Sequence, residues 1–248
     1  VSAPLIFHSQ PRNKVYYLTT PNYEKWASFA VEYSGGYPPK GDITVTGEKT
    51  DGTVVYTNTV KPTRIFVDAI NLWEFTTADS GQYRIKLEYN GYVLYSNTFT
   101  ITMAVCEHPG YDEYNKCSQC GCDLAAAIVK DGKTTGYVTF ADALAAAQTD
   151  ENKDCTLRLL ANVKGTVDVD TGDFGIDLNG NIVGGLKVKK SAKVNVSGGT
   201  VSGGVTVAKT AQLTASNTYF TGAINCVGSG DFRDCIFMGA VSPKGGSS

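Results

Sequence analysis

Charge is scarce in this sequence. Asp, Glu, Lys and Arg make up 19% of it and nearly cancel, leaving a formal net charge of -2. No lysine- and arginine-rich stripe is present to release counterions from a nucleic-acid backbone, so nucleic acid is not an expected partner. No apolar run approaches the roughly 18–20 residues a membrane-crossing helix needs, so direct membrane insertion of that kind is not expected. Val1 is not followed by a signal-peptide pattern, since Ser2-Ala3-Pro4 leads straight into strand-like sequence; a mature chain and a fragment both read this way. The other end, Pro243 to Ser248, reads as a frayed tail. Methionine is rare and long helical periodicities are few, whereas tyrosine, threonine, glycine and valine are common, a composition that favours strands. G-x-S-x-G, H-E-x-x-H and phosphate-cradling loops do not occur, which removes the commonest hydrolase and nucleotide-binding signatures.

The cysteines are uneven in number and place. There are 7, so a fully disulfide-paired monomer is excluded. Four of them lie between Val105 and Leu124, with His108: Cys106-Glu-His108, eight residues, then Cys117-Ser-Gln-Cys120-Gly-Cys122. Cys106 and His108 point to one side of an extended strand. Cys117 to Gly121 reads as a C-x-x-C-G turn in which glycine lets the backbone fold beneath a metal. Cys106, His108, Cys117 and Cys120 therefore make a Cys₃His set suited to structural zinc, with every position filled by protein and none left for water. Its expected task is to fix the shape of a segment too short for a core of its own, a clasp between two unlike stretches. Three alternatives stay open: Cys122 in place of His108, disulfides such as Cys106–Cys117, and redox use of the C-x-x-C pair.

With 248 residues there is room for one large domain or two smaller ones. Before the cluster the chain alternates with a period of two. Trp26 to Tyr33 reads as a strand with Ala27, Phe29, Val31 and Tyr33 on one face. Ile43 to Thr46 and Val54 to Tyr56 read as a hairpin around Lys49 to Gly52; Arg64 to Val67, Tyr83 to Tyr89 and Val93 to Ile101 follow, the last two joined at Asn90-Gly91. About seven strands with turn signals every 8–12 residues predict a two-sheet sandwich over residues 1–105. Asp79-Ser80-Gly81-Gln82-Tyr83 resembles the D-S-G-x-Y turn of immunoglobulin-like domains, which implies that Tyr83 bonds back across a corner and that Trp73 or Phe75 lies on the preceding strand. The segment has no cysteine, so the inter-sheet disulfide of antibody domains is absent. Tyr16, Tyr17, Tyr23 and Tyr37 are candidates for a solvent-facing binding surface.

After the cluster, Thr139 to Gln148 reads as a short helix with Thr139 as N-cap and Phe140, Ala143, Leu144 and Ala147 on its apolar face. From Thr156 a spacing close to nineteen residues sets in. One series runs Leu157/Leu159, Ile176/Leu178, Val194/Val196, Leu213/Ala215, Phe232; a second Val167/Val169, Leu186/Val188, Val205/Val207, Ile224/Cys226; a third Ile182, Val201, Phe220. Such in-register series predict a parallel β-solenoid over residues 125–248, with corners at Asn179-Gly180, Gly184-Gly185, Gly198-Gly199 and Gly203-Gly204 and the Phe140 helix over its first rung. No cap is evident after the last rung at Phe232 to Phe237, so a continuing chain or a partner is expected there.

The order C-x-H, Tyr111-Asp112, Lys116-Cys-x-x-Cys-Gly121, Leu124-Ala-Ala126, the T-F-A-D-A-L-A-A-A helix, Thr156-Leu-Arg-Leu-Leu-Ala-Asn-Val163 and Ile176-Asp-Leu-Asn-Gly180 resembles modules of large repetitive surface proteins of Gram-positive, often host-associated, bacteria. The match spans about residues 106–205. It implies an all-β chain of immunoglobulin-like sandwich, Cys/His knuckle (106–124) and right-handed β-helix. It also implies an extracellular, cell-surface location, a non-enzymatic adhesive role toward a host protein or glycan, and further modules in the parent chain. The runner-up is a polysaccharide lyase or hydrolase on the β-helix, for which Asp168, Asp170, Asp173 and Asp177 are the available acids and Asp168/Asp170 the favoured pair.

Overall fold

The structure, a computed structural model, describes residues 5–33, 41–61 and 65–243. It divides into two compact units, Val1–Cys106 and Glu107–Ser248.

The first unit contains β1 (Leu5–Ser9), β2 (Lys14–Tyr17), β3 (Trp26–Tyr33), β4 (Ile43–Lys49), β5 (Val54–Val60), β6 (Ile65–Asn71), β7 (Gly81–Tyr89), β8 (Tyr92–Tyr95) and β9 (Phe99–Ala104). One sheet has the order β1-β3-β6; the other runs β2-β9-β7-β4-β5, with β8 also on β7. Two-residue alternation explains how one core serves both. Tyr83, Ile85, Leu87 and Tyr89 of β7 are buried in turn, and they share a cluster with Val45 of one sheet and with Leu5, Ala27 and Ile70 of the other. Asn90 and Gly91, at φ 45° and 79°, make the tight turn between β7 and β8, a conformation Asn-Gly favours. The Tyr83 hydroxyl donates to the Asp79 carbonyl at 2.5 Å, the corner bond expected of it.

Some expectations for this unit change. β1 follows Pro4 where strand-like sequence is expected, whereas β2 is an addition, a short strand set off from β1 by Gln10 to Asn13. Trp73 and Phe75 lie beyond the end of β6 and not on it. Tyr16 is no surface residue: it is 5% exposed, and its hydroxyl donates to the Trp26 carbonyl at 2.7 Å. In a strand of four residues, alternation cannot say which face is inward. Tyr17 is half-buried, and Tyr23 is open to solvent at 71%. Tyr37, Arg64 and the side chains of Phe29, Val31 and Tyr33 lie outside the described residues.

The second unit contains β10 (Ala126–Lys130), β11 (Lys133–Tyr137), α1 (Phe140–Ala147), β12 (Thr156–Leu159), β13 (Val163–Val169), β14 (Asp173–Asp177), β15 (Ile182–Val188), β16 (Lys193–Val201), β17 (Val205–Val207), β18 (Gln212–Phe220), β19 (Ile224–Cys226), β20 (Ser229–Arg233), β21 (Ile236–Phe237) and β22 (Val241–Pro243). β12, β14, β16, β18 and β20 pair in parallel, each on the last, and so do β13, β15, β17, β19 and β22. This is a β-solenoid arrangement whose stacked inward residues form one continuous core.

The second predicted series holds residue for residue: Val167 pairs Leu186, Leu186 pairs Val205, and Val207 pairs Cys226. The first slips by two at one rung. Leu157 pairs Ile176 as expected, but Val194 pairs Phe174 and Val196 pairs Ile176. That rung is longer, and the surplus is taken up near Lys190, whose φ is 50°. The third series is shifted by one, because Val183, not Ile182, pairs Val201 and then Phe220. Val183 is 2% exposed and Ile182 44%. A one-residue slip reverses the face of every side chain, and burial settles it.

One corner is a column of glycines. A Cβ added at Gly203 would lie 1.8 Å from the carbonyl oxygen of Gly184, one at Gly222 2.2 Å from that of Gly203, and one at Gly239 2.3 Å from that of Gly222. Backbones approach too closely there for any side chain.

The first rung is closed by two devices, of which the sequence reading foresaw one. Thr139 caps α1, its hydroxyl oxygen accepting from the Asp142 amide at 3.2 Å, and the helix buries Ala143 and Ala147 against the core. The unforeseen one is the β10–β11 hairpin, which pairs antiparallel with β12 and covers its edge. At the far end Phe220, Phe232 and Phe237 pack at 5.5–5.7 Å, and among the described residues no strand pairs beyond β20, β21 and β22.

Candidate metal centre

The segment between β9 and β10 has few backbone ladders to hold it. Its shape comes from short polar turns. Asp112 Oδ1 accepts from the amides of Tyr114 and Lys116, both at 2.9 Å, an Asx-type turn that brings Tyr111 opposite Cys117. Asn115 sits at φ 61° and anchors the segment through Nδ2, which donates to the Leu160 carbonyl at 2.9 Å. Cys117 to Gly121 forms the predicted turn: the Gly121 amide donates to the Cys117 carbonyl at 2.9 Å, Gly121 has φ 73°, and the Gln119 amide points at Cys117 Sγ at 3.4 Å. An amide aimed at sulfur stabilises thiolate character, as a metal ligand requires. His108, at φ 49°, is fixed through its own carbonyl, which accepts from the Gly136 amide at 2.7 Å.

These turns converge four side chains. The ligand atoms of Cys106, His108, Cys117 and Cys120 all lie within 4.8 Å of one another, with the three cysteines buried and His108 half-buried. This group can hold a metal ion. His108 Nδ1 is 3.5 Å from Cys120 Sγ. Cys122 lies at the rim of the same cluster, its Sγ 3.4 Å from Cys120 Sγ and 3.7 Å from His108 Nδ1. Among the described residues, which include every cysteine, no disulfide is formed. The Cys120–Cys122 separation is far above the roughly 2.05 Å of a sulfur–sulfur bond. The remaining thiols are elsewhere; Cys155 and Cys226 are buried in the solenoid, where desolvation pushes both thiols up from their ordinary range and disfavours the thiolate form.

The sequence reading missed what supports the four ligands. Gly136 is one such position, since a Cβ there would lie 2.4 Å from Leu124 Cδ1 and 3.3 Å from His108 Cβ. A glycine inside a strand was its only signal.

The acidic residues of the runner-up reading are arranged differently from a reactive pair. Lys189 Nζ lies 3.1 Å from Asp168 Oδ2 and 3.5 Å from Asp170 Oδ1, so one ammonium is shared between the two carboxylates. Asp168 Oδ1 is enclosed with no hydrogen-bond partner. Asp177 is engaged by Arg158 Nε at 2.8 Å, and Asp173 by Lys193 at 4.0 Å.

No family model, curated protein or solved structure matches this chain.

Proposed function

We propose that the chain is a non-enzymatic, extracellular binding module of a bacterial surface protein, held in shape by one structural zinc ion. The observation that carries the zinc reading is the donor set. A tetrahedral ion with bond lengths of about 2.3 Å to sulfur and 2.0–2.1 Å to nitrogen has edges of about 3.5–3.8 Å. The 3.5 Å separation of His108 Nδ1 and Cys120 Sγ is such an edge. Three thiolates and one imidazole favour zinc over harder ions and leave no coordination site for water, so the ion shapes the loop and performs no chemistry. Elemental analysis of purified protein is expected to give one equivalent of zinc in the native chain and in Cys122→Ala, and none in Cys117→Ala. Zinc well below one equivalent in the native chain, with Cys106 in a disulfide, overturns this.

The surface-module reading draws on the ordered motifs from Cys106 to Gly180 and on the first unit. Taking β1, β3 and β6 as strands A, B and E, and β2, β9, β7, β4 and β5 as A′, G, F, C and C′, gives the division of an immunoglobulin-like sandwich. The Tyr83–Asp79 bond supports the same assignment. For the second unit we read the solenoid as a right-handed β-helix. Host proteins or glycans are the ligands of such modules, and other modules of a parent chain are their neighbours.

One observation favours the second reading, a polysaccharide-acting enzyme: the enclosed, unpartnered Oδ1 of Asp168. Lys189 weighs against it by occupying the place of a cation or water beside the pair. Partner binding that persists in the Asp168→Ala, Asp170→Ala double variant, without turnover of any polysaccharide, supports the binding module. Glycan cleavage abolished in that variant overturns it.

A further inference from the structure

The metal-bearing loop is also one wall of a groove. Glu107, Pro109 and Tyr111 stand on one side; the floor is made by Val129 and Thr134 of the β10–β11 hairpin and by Thr156 of β12. The cavity measures about 730 Å³, within the roughly 300–1,000 Å³ range of ligand sites. It adjoins a second of about 320 Å³ through the shared Thr156. Arg158 of the first is bonded to Asp177 of the second, which ties them into one track.

The track runs across the strands. Thr134, Val129, Thr156, Gly175 and Asn195 are successive partners from β11 to β16, giving a row of hydroxyl and amide groups interrupted by the apolar Val129 and by a gap at Gly175. Arg158 is set before any ligand arrives: Nε donates to Asp177 Oδ2 at 2.8 Å, and Nη1 donates to the Tyr111 hydroxyl at 3.2 Å. The same bond fixes the Tyr111 ring at the groove's edge. The backbones of β10, β12 and β14 are paired on both sides, so an added peptide strand can pair only along the outer edge of β11 and not across the track. Apolar side chains contribute little beyond Pro109 and Val129, so an apolar ligand is poorly served.

We propose that this track binds an uncharged, unbranched oligosaccharide. Sugar hydroxyls donate and accept at once, and the track offers both: acceptors at Glu107 and Asp177, donors at Lys133 and Arg158, and hydroxyls that do either. The Tyr111 ring supplies a flat face with a polar tip. Continuity over neighbouring strands about 4.8 Å apart suits a chain and not a single sugar. Charge sets the choice against acidic glycans. The carboxylates of Glu107, Asp154, Asp173 and Asp177 outnumber the cations Lys133, Arg158 and Lys193, the last of them beside Asp173, so an acidic chain is disfavoured. This inference rests on the binding-module reading and names the ligand class for it.

The test uses the full chain on an array of immobilised unbranched oligosaccharides, neutral and uronic-acid-containing, with Gly175→Tyr as the blocking variant. A Cβ at Gly175 meets its nearest neighbour, Thr156 Oγ1, at an ordinary 3.5 Å, so the variant keeps its fold while its ring fills the track. The expected result is capture of a neutral chain, unchanged between about 0.05 and 0.5 M salt, and weakened about tenfold or more by Gly175→Tyr at an unaltered melting temperature. Arg158→Gln gives a loss of similar order through the charged hydrogen bonds it removes. Capture of uronic chains only, capture undiminished in Gly175→Tyr, or no capture of any neutral chain overturns the proposal. Binding of host proteins that Gly175→Tyr leaves intact sinks this site and spares the binding-module reading. A captured sugar recovered shortened does the reverse.

Discussion

The knuckle at residues 106–124 and the solenoid that follows it solve the same problem with different means. The solenoid is held by a core in which Leu157, Phe174, Val196, Leu213 and Phe220 are each almost wholly buried. The knuckle buries chiefly sulfur: Cys106, Cys117, Cys120 and Cys122, with Leu124 at its end. In the first case stability is spread over many apolar contacts, each replaceable in part. In the second, on the proposed reading, it is concentrated in a few bonds to one ion. A segment of about twenty residues cannot bury enough apolar surface to offset its ordering entropy, so concentration is the available route.

The largest expected effect breaks the knuckle alone. Structural zinc contributes about 10–16 kcal/mol of binding free energy in small metal-dependent peptides. Chelation, or Cys117→Ser, is therefore expected to abolish amide-exchange protection at the Cys117 and Leu124 amides while β14 to β18 keep theirs. Equal loss in both regions contradicts the contrast. Next in size is Phe220→Ala, which removes a ring packed against Phe232 and Phe237. A cost of about 3–5 kcal/mol is expected, read as a lowered denaturation midpoint of the solenoid with zinc still at one equivalent.

A third prediction sets the first unit against the solenoid. Burial pushes the Tyr16 hydroxyl up to about 12, against about 10 in an unfolded chain. The folded form thus holds its proton when the unfolded form has lost it. The stability this gives is complete below pH ~10 and falls as pH rises toward ~12, by up to about 1.4 kcal/mol per unit. Alkaline titration is expected to loosen the first unit more steeply in the native chain than in Tyr16→Phe; identical slopes count against the assignment. The smallest effect is at the solenoid's cap. Thr139→Ala removes the helix N-cap and is expected to cost about 1 kcal/mol in thermal unfolding.

How far the sequence could be read followed the same division. Strong periodicity placed the Val167, Leu186, Val205 and Ile224 column correctly, because each residue recurs with identical chemistry and burial. It failed at Ile182, where the adjacent Val183 is equally apolar and only the glycines beyond them set the face. The β10–β11 hairpin went unseen because an alanine-rich run, Leu124 to Val129, has no period to declare. The four side chains that can hold a metal were legible from spacing, since thiols and imidazole are rare and their clustering carries information that apolar residues do not. Their supports at Asn115 and Gly136 were not, because backbone conformation and close approach leave only a faint mark on residue type.

The stacking described for the solenoid has a consequence for reach. Val167 to Leu186 is one rung, nineteen residues by position, and each rung adds about 4.8 Å along the axis. That is about 0.25 Å of advance per residue, against roughly 3.3 Å for an extended chain. A fold that advances so slowly is a poor spacer. What it gains is breadth: with every rung come several short outward rows, each of which can change its side chains without moving the rows beside it.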